Sequence, residues 1–402
     1  MRPDPVTTSG WPASMFFFQP HLERRIRDRA AALGAEVRLG AQVDDVIDHG
    51  DHVEIRFADG TTSTAQYAVG CDGARSTVRR QAGIEMHDLQ FEEPWLVVDL
   101  VLPEHTQAPA ELTLQVCDPA RPSTLVPMPP PRFRFEFMLL DGESAEAISS
   151  PESVRSLLSA WMDPDDATIE RSAVYTFHGL IARDWRVGRV LLAGDAAHMT
   201  PPFLGQGMCA GIRDAANLAW KLDRVVRGTS PDDLLDTYGA EREPHVRQFV
   251  EAAVNFGRLI CTTDRGVADQ RDRDMLAARA AGGGHVGSSG SPQLVDGPLV
   301  APGVGVPAPQ PTIDGTRLDD SVGPRFAVVV RDASLLDTDA AAWWASNDAV
   351  VLNAAEHAGV GELLDTLGVE AAVIRPDRYV LDAGDRVRMP GAEATELLSP
   401  TR

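Results

Sequence analysis

The chain has 402 residues, 44% of them hydrophobic, enough to bury cores in about two or three domains. Its 59 acidic residues against 37 basic ones leave a formal charge of -22, which argues against a nucleic-acid partner. No run is long and apolar enough to cross a bilayer, and the polar, proline-containing start is not a signal peptide.

In chain order, a loop around Gly10-Trp11-Pro12 leads through apolar Met15 and Phe18 into Gln19-Pro20. Residues 21–33 then read as a helix with Leu22, Ile26, Ala30 and Leu33 on one face, closed by Gly34. Residues 37–39 and 43–47 read as strands, and 52–57 and 62–69 pair across Asp59-Gly60, a strong hairpin signal. The run VGCDGARSTVRR then ends a buried strand at Asp72-Gly73 and starts a helix near Ser76. Asp-Gly after a strand is by itself a common turn, and Arg79 and Arg80 read as solvated helix charges.

From residue 94 to 187 the pattern becomes extended, with runs at 95–102, 111–116, 124–127 and 133–140 that read as a mostly antiparallel sheet. Phe133, Phe135 and Phe137 alternate with Arg132, Arg134 and Glu136, so one face is aromatic and the other charged; the aromatic face reads as core. A helix at 151–162 and a strand at 172–177 follow.

The stretch RVLLAGDAAHMTPPFLGQGMCAGIRDAANLAWK, residues 189–221, is the centre of the chain. An apolar strand ends at Gly194-Asp195, a glycine- and proline-rich loop follows, and a helix takes Met208, Ile212, Ala215, Leu218, Ala219 and Leu222 as its apolar positions. At a strand end Asp195 can accept hydrogen bonds from a ligand's hydroxyls. Gly205 and Gly207 let the backbone approach closely and aim the amides from Gly205 to Met208 at negative charge. An isolated Gly-Asp is an ordinary turn; the full string suits a polyhydroxylated, anionic cofactor. His198 reads either as a proton shuttle or as a hydrogen-bonded structural residue. Pro201 and Pro202 offer no amide donor and fix the turn.

Helices are expected to about Arg227 and at 232–260, with a kink before Pro244, and a Gly/Ser/Pro-rich linker at 262–311 that includes Gly282-Gly283-Gly284. Strands at 326–330, 349–352, 372–374 and 379–381, with helices at 340–344 and 361–367, form a third α/β unit. Cys71, Cys117, Cys209 and Cys261 form no CxxC pair, so no metal site, disulfide or dithiol chemistry is expected and a reducing cytoplasm is the natural setting. No strand, GxGxxG turn and helix occur together; Gly303-Val304-Gly305-Val306-Pro307 has no such context and is rejected.

The Gly194 string and the Asp72-Gly73-Ala74-Arg75 string resemble two fingerprints of the FAD-dependent aromatic hydroxylases, the class A flavoprotein monooxygenases, closest to the 3-(3-hydroxyphenyl)propionate and 3-hydroxycinnamate hydroxylases. The Arg375-Pro376-Asp377-Arg378-Tyr379-Val380 segment resembles their thioredoxin-like C-terminal domain. The resemblance implies an α/β (α+β) fold: the remainder of a Rossmann-like FAD-binding domain (1–93), a substrate-binding β-sheet domain (94–187), a second FAD segment with helices (188–261), the linker (262–311) and a thioredoxin-like domain without CxxC (312–402). It implies FAD, NADH or NADPH, and O2, and hydroxylation of a small aromatic substrate ortho to its hydroxyl, with homo-oligomers open. Gly194, Asp195, Ala196, Ala197, Pro201, Gly205, Gln206, Gly207 and Met208 are the implied flavin contacts, with Asp72, Gly73, Arg75 and Gln19. His198 and Pro201 are the catalytic candidates. In the family a GxGxxG unit precedes everything seen here, so the resemblance implies that Met1 falls inside the flavin domain of a longer enzyme. A polyketide or antibiotic hydroxylase, and a non-catalytic interaction module, are the alternatives.

Overall fold

The structure is a computed structural model that describes residues 6–104, 106–282 and 293–400; Gly283 and Gly284 of the expected linker lie outside them. Helix α1 (Gln19–Ala32) opens the described chain. Strands β1 (Val43–Asp48), β2 (Val53–Phe57) and β3 (Thr62–Ala65) form an antiparallel sheet whose β2–β3 hairpin turns at Gly60, φ 82°. The expected strand at 37–39 is absent; those residues form a loop with Val37 and Leu39 exposed.

Strand β4 (Ala68–Gly70) leads into the short helix α2 (Thr77–Gln81). The central wall follows: β5 (Met86–Val101), β6 (Leu114–Val116), β7 (Ser123–Pro127) and β8 (Arg132–Met138), then helices α3 (Ala145–Ile148) and α4 (Pro151–Leu158) and strand β9 (Thr168–Ala182). Strands β10 (Arg186–Val187), β11 (Val190–Leu192) and β12 (His198–Met199) lead to the long helices α5 (Gly207–Val226), α6 (Asp236–Ile260) and α7 (Arg265–Ala280). Helix α7 lies in the span read as linker. Its composition is too charged to show an apolar stripe, but Asp264 caps it by accepting from the Val267 amide at 2.9 Å.

The wall is one six-stranded sheet, ordered β12-β9-β5-β8-β7-β6, in which every pairing is antiparallel. Cross-strand partners share a face. Leu96, Val98, Leu100, Phe133, Phe135 and Phe137 point to one side and pack with Ile148, Val154 and Leu158 of α3 and α4, so the aromatic stripe is core. Trp95, Val97, Asp99 and Val101 pair with Met138, Glu136, Arg134 and Arg132 on the opposite face.

After residue 311 the hairpin β13 (Thr312–Ile313) and β14 (Thr316–Arg317) and helix α8 (Leu318–Val322) precede the last unit. That unit runs β15 (Ala327–Val330), α9 (Thr338–Ser346), β16 (Val350–Asn353), α10 (Val360–Leu367), β17 (Ala371–Ile374), β18 (Val380–Gly384) and α11 (Ala392–Leu397). Its sheet order is β16-β15-β17-β18, with β15 parallel to β16 and the other pairs antiparallel. Trp220 of α5 enters its core, edge-on to Phe326 at 5.4 Å. Among the described residues no helix is long and apolar enough to cross a membrane.

Candidate active site

Strands β4 and β11 are parallel neighbours, with Gly70 opposite Leu192. Both expected turns, at Asp72-Gly73 and at Gly194-Asp195, therefore leave the same carboxyl-terminal edge, where open α/β sheets hold their ligands. Two glycines make the approach possible. A Cβ on Gly70 would lie 2.8 Å from the Cβ of Val78, and one on Gly211 would lie 3.2 Å from the Cα of Gly194. With no side chain on either, α2 packs under the first turn and the start of α5 packs against the second.

Asp195 is exposed, and its carboxylate makes no hydrogen bond within the described chain. Gly194 takes φ 60°, and its amide donates to Asp214 at 3.0 Å. Ala196 and Ala197 are buried behind it. Pro201 is buried, and Phe203 leaves the proline pair to pack edge-on against Trp95 at 5.5 Å and Phe177 at 6.0 Å. Gly205 takes φ 62° with open space beside its Cα, but its amide is held by the Pro202 carbonyl at 2.8 Å. One of the four donors expected from this loop is therefore satisfied internally. The start of α5 at Gln206, Gly207 and Met208 carries no side-chain cap, so its first-turn amides remain available.

The first fingerprint behaves differently. Asp72 accepts from Thr77 N at 2.7 Å, from Val78 N at 3.1 Å and from the Ser76 hydroxyl, so its carboxylate shapes the turn and caps α2. Burial alone would raise this carboxyl, but those bonds hold it below the usual range. Gly73 takes φ 79°, and Arg75 is exposed. Arg79, read as a solvated charge, is buried: it donates to the Ala196 carbonyl at 2.8 Å and to Ala74 at 2.9 Å, fastening one turn to the other. Gln19 is not drawn into this group; it is exposed and donates to Glu23 of its own helix at 2.7 Å.

His198 is fully buried, with Nε2 2.7 Å from Asp214 and its ring stacked on Trp185 at 5.6 Å. Asp214, which the sequence reading passed over, also accepts from Arg242 Nε at 2.9 Å. Burial opposes its charge, yet His198, Arg242 and the Gly194 amide hold its carboxyl below the usual value. Asp214, Asn217 and Lys221 form a polar stripe on the buried side of α5, while the expected core positions Met208 and Ile212 are 41% and 52% exposed. The stripe was visible in the sequence as spacings of three and four residues.

These features fit the ribityl and ring portion of a flavin: an unbonded acidic turn, an uncapped helix start and glycines with room beside them. No GxGxxG turn lies among the described residues to hold an adenylate half, and at Gly305 the Leu294 carbonyl fills the space a Cβ would take.

The polar face of the wall looks toward the same place. Trp95 and Met138 share the core of the proline loop with Phe203. At the far end the Arg132 guanidinium covers the Phe18 ring at 3.9 Å. Between them Arg134 grips Asp99 through bonds of 2.6 and 3.1 Å, and Glu136 lies beside them, 7% exposed. Burial pushes the Glu136 carboxyl up to about 7, with Asp99 adding to the rise and Arg134 opposing it.

A sheet wall facing two acidic turns at the carboxyl edge of parallel strands defines an α/β protein of the cofactor-binding kind. Residues 3–253 match the family model described as FAD binding domain. The chain is 46% identical over 279 residues, 68% of its length and 52% of the relative's, to a probable NADH-specific resorcinol 4-hydroxylase of Rhodococcus jostii (strain RHA1). It is 34% identical over 440 aligned residues, 98% of its length and 80% of the relative's, to a 3-(3-hydroxy-phenyl)propionate/3-hydroxycinnamic acid hydroxylase of Burkholderia cenocepacia (strain HI2424). The solved OxyS anhydrotetracycline hydroxylase from Streptomyces rimosus superposes with a TM-score of 0.75 at 26% identity, covering 98% of this chain and 82% of that one. The chain belongs to the FAD-dependent aromatic hydroxylase family.

Proposed function

We propose that this chain forms the catalytic body of a monooxygenase that uses FAD, NADH or NADPH, and O2 to hydroxylate a phenol ortho to its hydroxyl, acting on acids of the 3-(3-hydroxyphenyl)propanoate type. The observation that carries this reading is the exposed, unbonded Asp195 carboxylate beside the uncapped start of α5, facing the wall through Phe203. Asp195 would accept hydrogen bonds from the ribityl hydroxyls, and the amides of Gly207 and Met208 would offset negative charge on the reduced ring. Bound there, FAD supplies the electron transfer and oxygen chemistry. The chain's own residues bind, orient and enclose. Pro201 and Phe203 border the ring pocket, the wall orients the phenol, and Asp72, Arg79 and Asp214 fix the turns. His198, buried on Asp214, is assigned to that scaffold. The Rhodococcus relative's name favours NADH as the reductant. The OxyS likeness favours a larger polycyclic substrate as the second reading.

The test is to purify the chain, titrate it with FAD and assay NADH oxidation and products with 3-(3-hydroxyphenyl)propanoate. Yellow protein and a catechol formed in step with NADH support the reading; NADH loss that yields only hydrogen peroxide contradicts it. A protein that FAD neither colours nor stabilises leaves the interaction-module alternative. Asp195→Ala should weaken FAD binding about 10- to 100-fold, the worth of a charged hydrogen bond. Without FAD its melting temperature should match the parent's, because the carboxylate bonds nothing in the described chain.

A further inference from the structure

The wall's polar face contains three acid–base positions in a row, and only two of them are satisfied. Arg132 is paired with Glu170 of β9 at 2.7 and 2.8 Å, and Arg134 is paired in two-pronged fashion with Asp99 of β5. Glu136 has nothing comparable. Among the described residues it makes no hydrogen bond: its ion-pair contact is Arg134 Nη1 at 3.9 Å, too long for one, and that guanidinium is already held by Asp99, whose charge also acts on Glu136. Its cross-strand partners are Val97 on β5 and Thr124 on β7; the Thr124 hydroxyl donates to Gln115 of β6 at 2.6 Å. The Glu136 side chain keeps 9% of its surface exposed, so a ligand can reach the carboxyl group and supply the donor that the described residues do not.

Its position says which ligand. Two residues along β8, on the same face and about 6.6 Å away, Met138 pairs with Trp95, which packs against Phe203 of the proline loop. Glu136 therefore lies on the face of the wall that meets the flavin loop, one same-face position along β8 from the Met138, Trp95 and Phe203 packing and beside apolar Val97. A flat ring with one hydroxyl donor fits this setting. A ligand carboxylate does not, because the nearest cation is neutralised and Asp99 and Glu136 together repel it.

We propose that Glu136 is a catalytic residue that accepts the hydrogen bond of the substrate's phenol and takes its proton. In this step the phenol O–H bond breaks, its electron pair stays on the oxygen, and the proton binds a Glu136 carboxylate oxygen. The negative charge on the phenolic oxygen raises electron density at the ring carbon beside it, the position that gains oxygen. When the ring regains aromaticity, the C–H bond at the carbon that gained oxygen breaks, its electron pair returns to the ring and its proton passes to solvent, while Glu136 returns its own proton to the phenolic oxygen and is left ionised for the next cycle. The assignment rests on the monooxygenase reading above and orients its substrate: hydroxyl toward β8, acid tail away from it. Asp99 and Arg134 are the two charged groups that act on Glu136, and its elevated carboxyl value near 7 lets it hold or release a proton at neutral pH.

The experiment measures kcat/KM for 3-(3-hydroxyphenyl)propanoate against pH in the wild type, Glu136→Gln and Glu136→Asp, with calorimetric binding of this acid and its O-methyl ether. The wild type should rise through a limb near pH 7. Glu136→Gln, which keeps size and shape, should fall at pH 8 by on the order of 10²-fold and lose that limb. Glu136→Asp should retain the limb at a lower rate, and the wild type's binding preference for the phenol over the ether should shrink in Glu136→Gln. An active wild type whose Glu136→Gln variant keeps both rate and limb overturns this assignment alone. A rate that drops equally at every pH with the limb intact also overturns it, since that marks a disturbed sheet. A wild type that turns over no phenol overturns the proposed function and this step together.

Discussion

The Asp214 carboxylate accepts from the Gly194 amide, from His198 Nε2 and from Arg242 Nε, and none of the three side chains has any exposed surface. The shape of the acidic turn thus depends on a residue well beyond Asp195 in the chain that points away from any ligand. Asp214→Asn keeps the volume but replaces one acceptor oxygen with a donor and leaves Arg242 as an uncompensated buried cation. Removing one partner of such a pair costs about 3–5 kcal/mol, which a urea titration should read. FAD affinity should fall with it, because the Gly194 turn loses its anchor. An Asp214→Asn variant as stable as the parent would remove this account of the turn. The same contrast shows what was legible at this scale. Asp195, Gly205 and Gly207 announced themselves through turn chemistry, which is local. Arg79 and Asp214 did not, because a charged residue is buried only when distant partners, here Ala196 and Arg242, complete it.

Helix α5 shows the same limit at the scale of an element. Its extent was readable to within a residue or so, since the glycine loop starts it and Arg227 follows its end. Its orientation was readable only in part: of the expected apolar positions Leu218 is buried and Leu222 packs on the core, but Met208, Ile212, Ala215 and Ala219 are exposed, and the buried side also carries the Asp214, Asn217, Lys221 stripe. Likewise α1 has the expected apolar positions, but none of its residues is buried, and Ile26 and Leu33 are 56% and 69% exposed. Elements defined by alternation and tight turns, such as the β2–β3 hairpin and the Phe133, Phe135, Phe137 stripe, came through because their information is contained within a few residues. What sets α5 in place is Gly211 against Gly194. Gly211→Ala puts a Cβ 3.2 Å from the Gly194 Cα, a backbone atom that cannot swing aside. The helix should shift outward, with a loss of about 1–3 kcal/mol typical of overpacking. Thermal melts should show that loss, and flavin titration should show weaker binding; an unchanged FAD dissociation constant would contradict the claim that this contact positions the α5 amides.

At the scale of the whole molecule, the third unit is fastened to the flavin helices through a buried charge cluster. Arg375 donates to Glu241 of α6 at 2.9 and 2.7 Å and to Asp377; Lys221 of α5 donates to the same Glu241 at 2.8 Å, and Asn217 bridges Glu241 and Asp377. Three segments far apart in sequence thus share one carboxylate. Burial would raise the Glu241 carboxyl, but Arg375 and Lys221 outweigh it and hold it down to about 2, against an ordinary 4.5. A carboxyl depressed on folding contributes stability that is fully present above the unfolded value and is lost as pH falls through the folded one. The window is therefore from about 4.5 down to about 2, and the contribution lost across it is on the order of 3 kcal/mol. Melting temperature measured from pH 6 to pH 3 should hold steady at first and then drop steeply below about 4.5. Arg375→Met separates this cluster from general acid unfolding. It should melt lower than the wild type at pH 7, because Glu241 and Asp377 lose their shared cation, and its further drop below 4.5 should be shallower, because Glu241 is no longer held so far down. Parallel acid curves for the two proteins would show that the cluster does not govern acid stability and that the third unit is held by apolar packing around Trp220 and Phe326 alone.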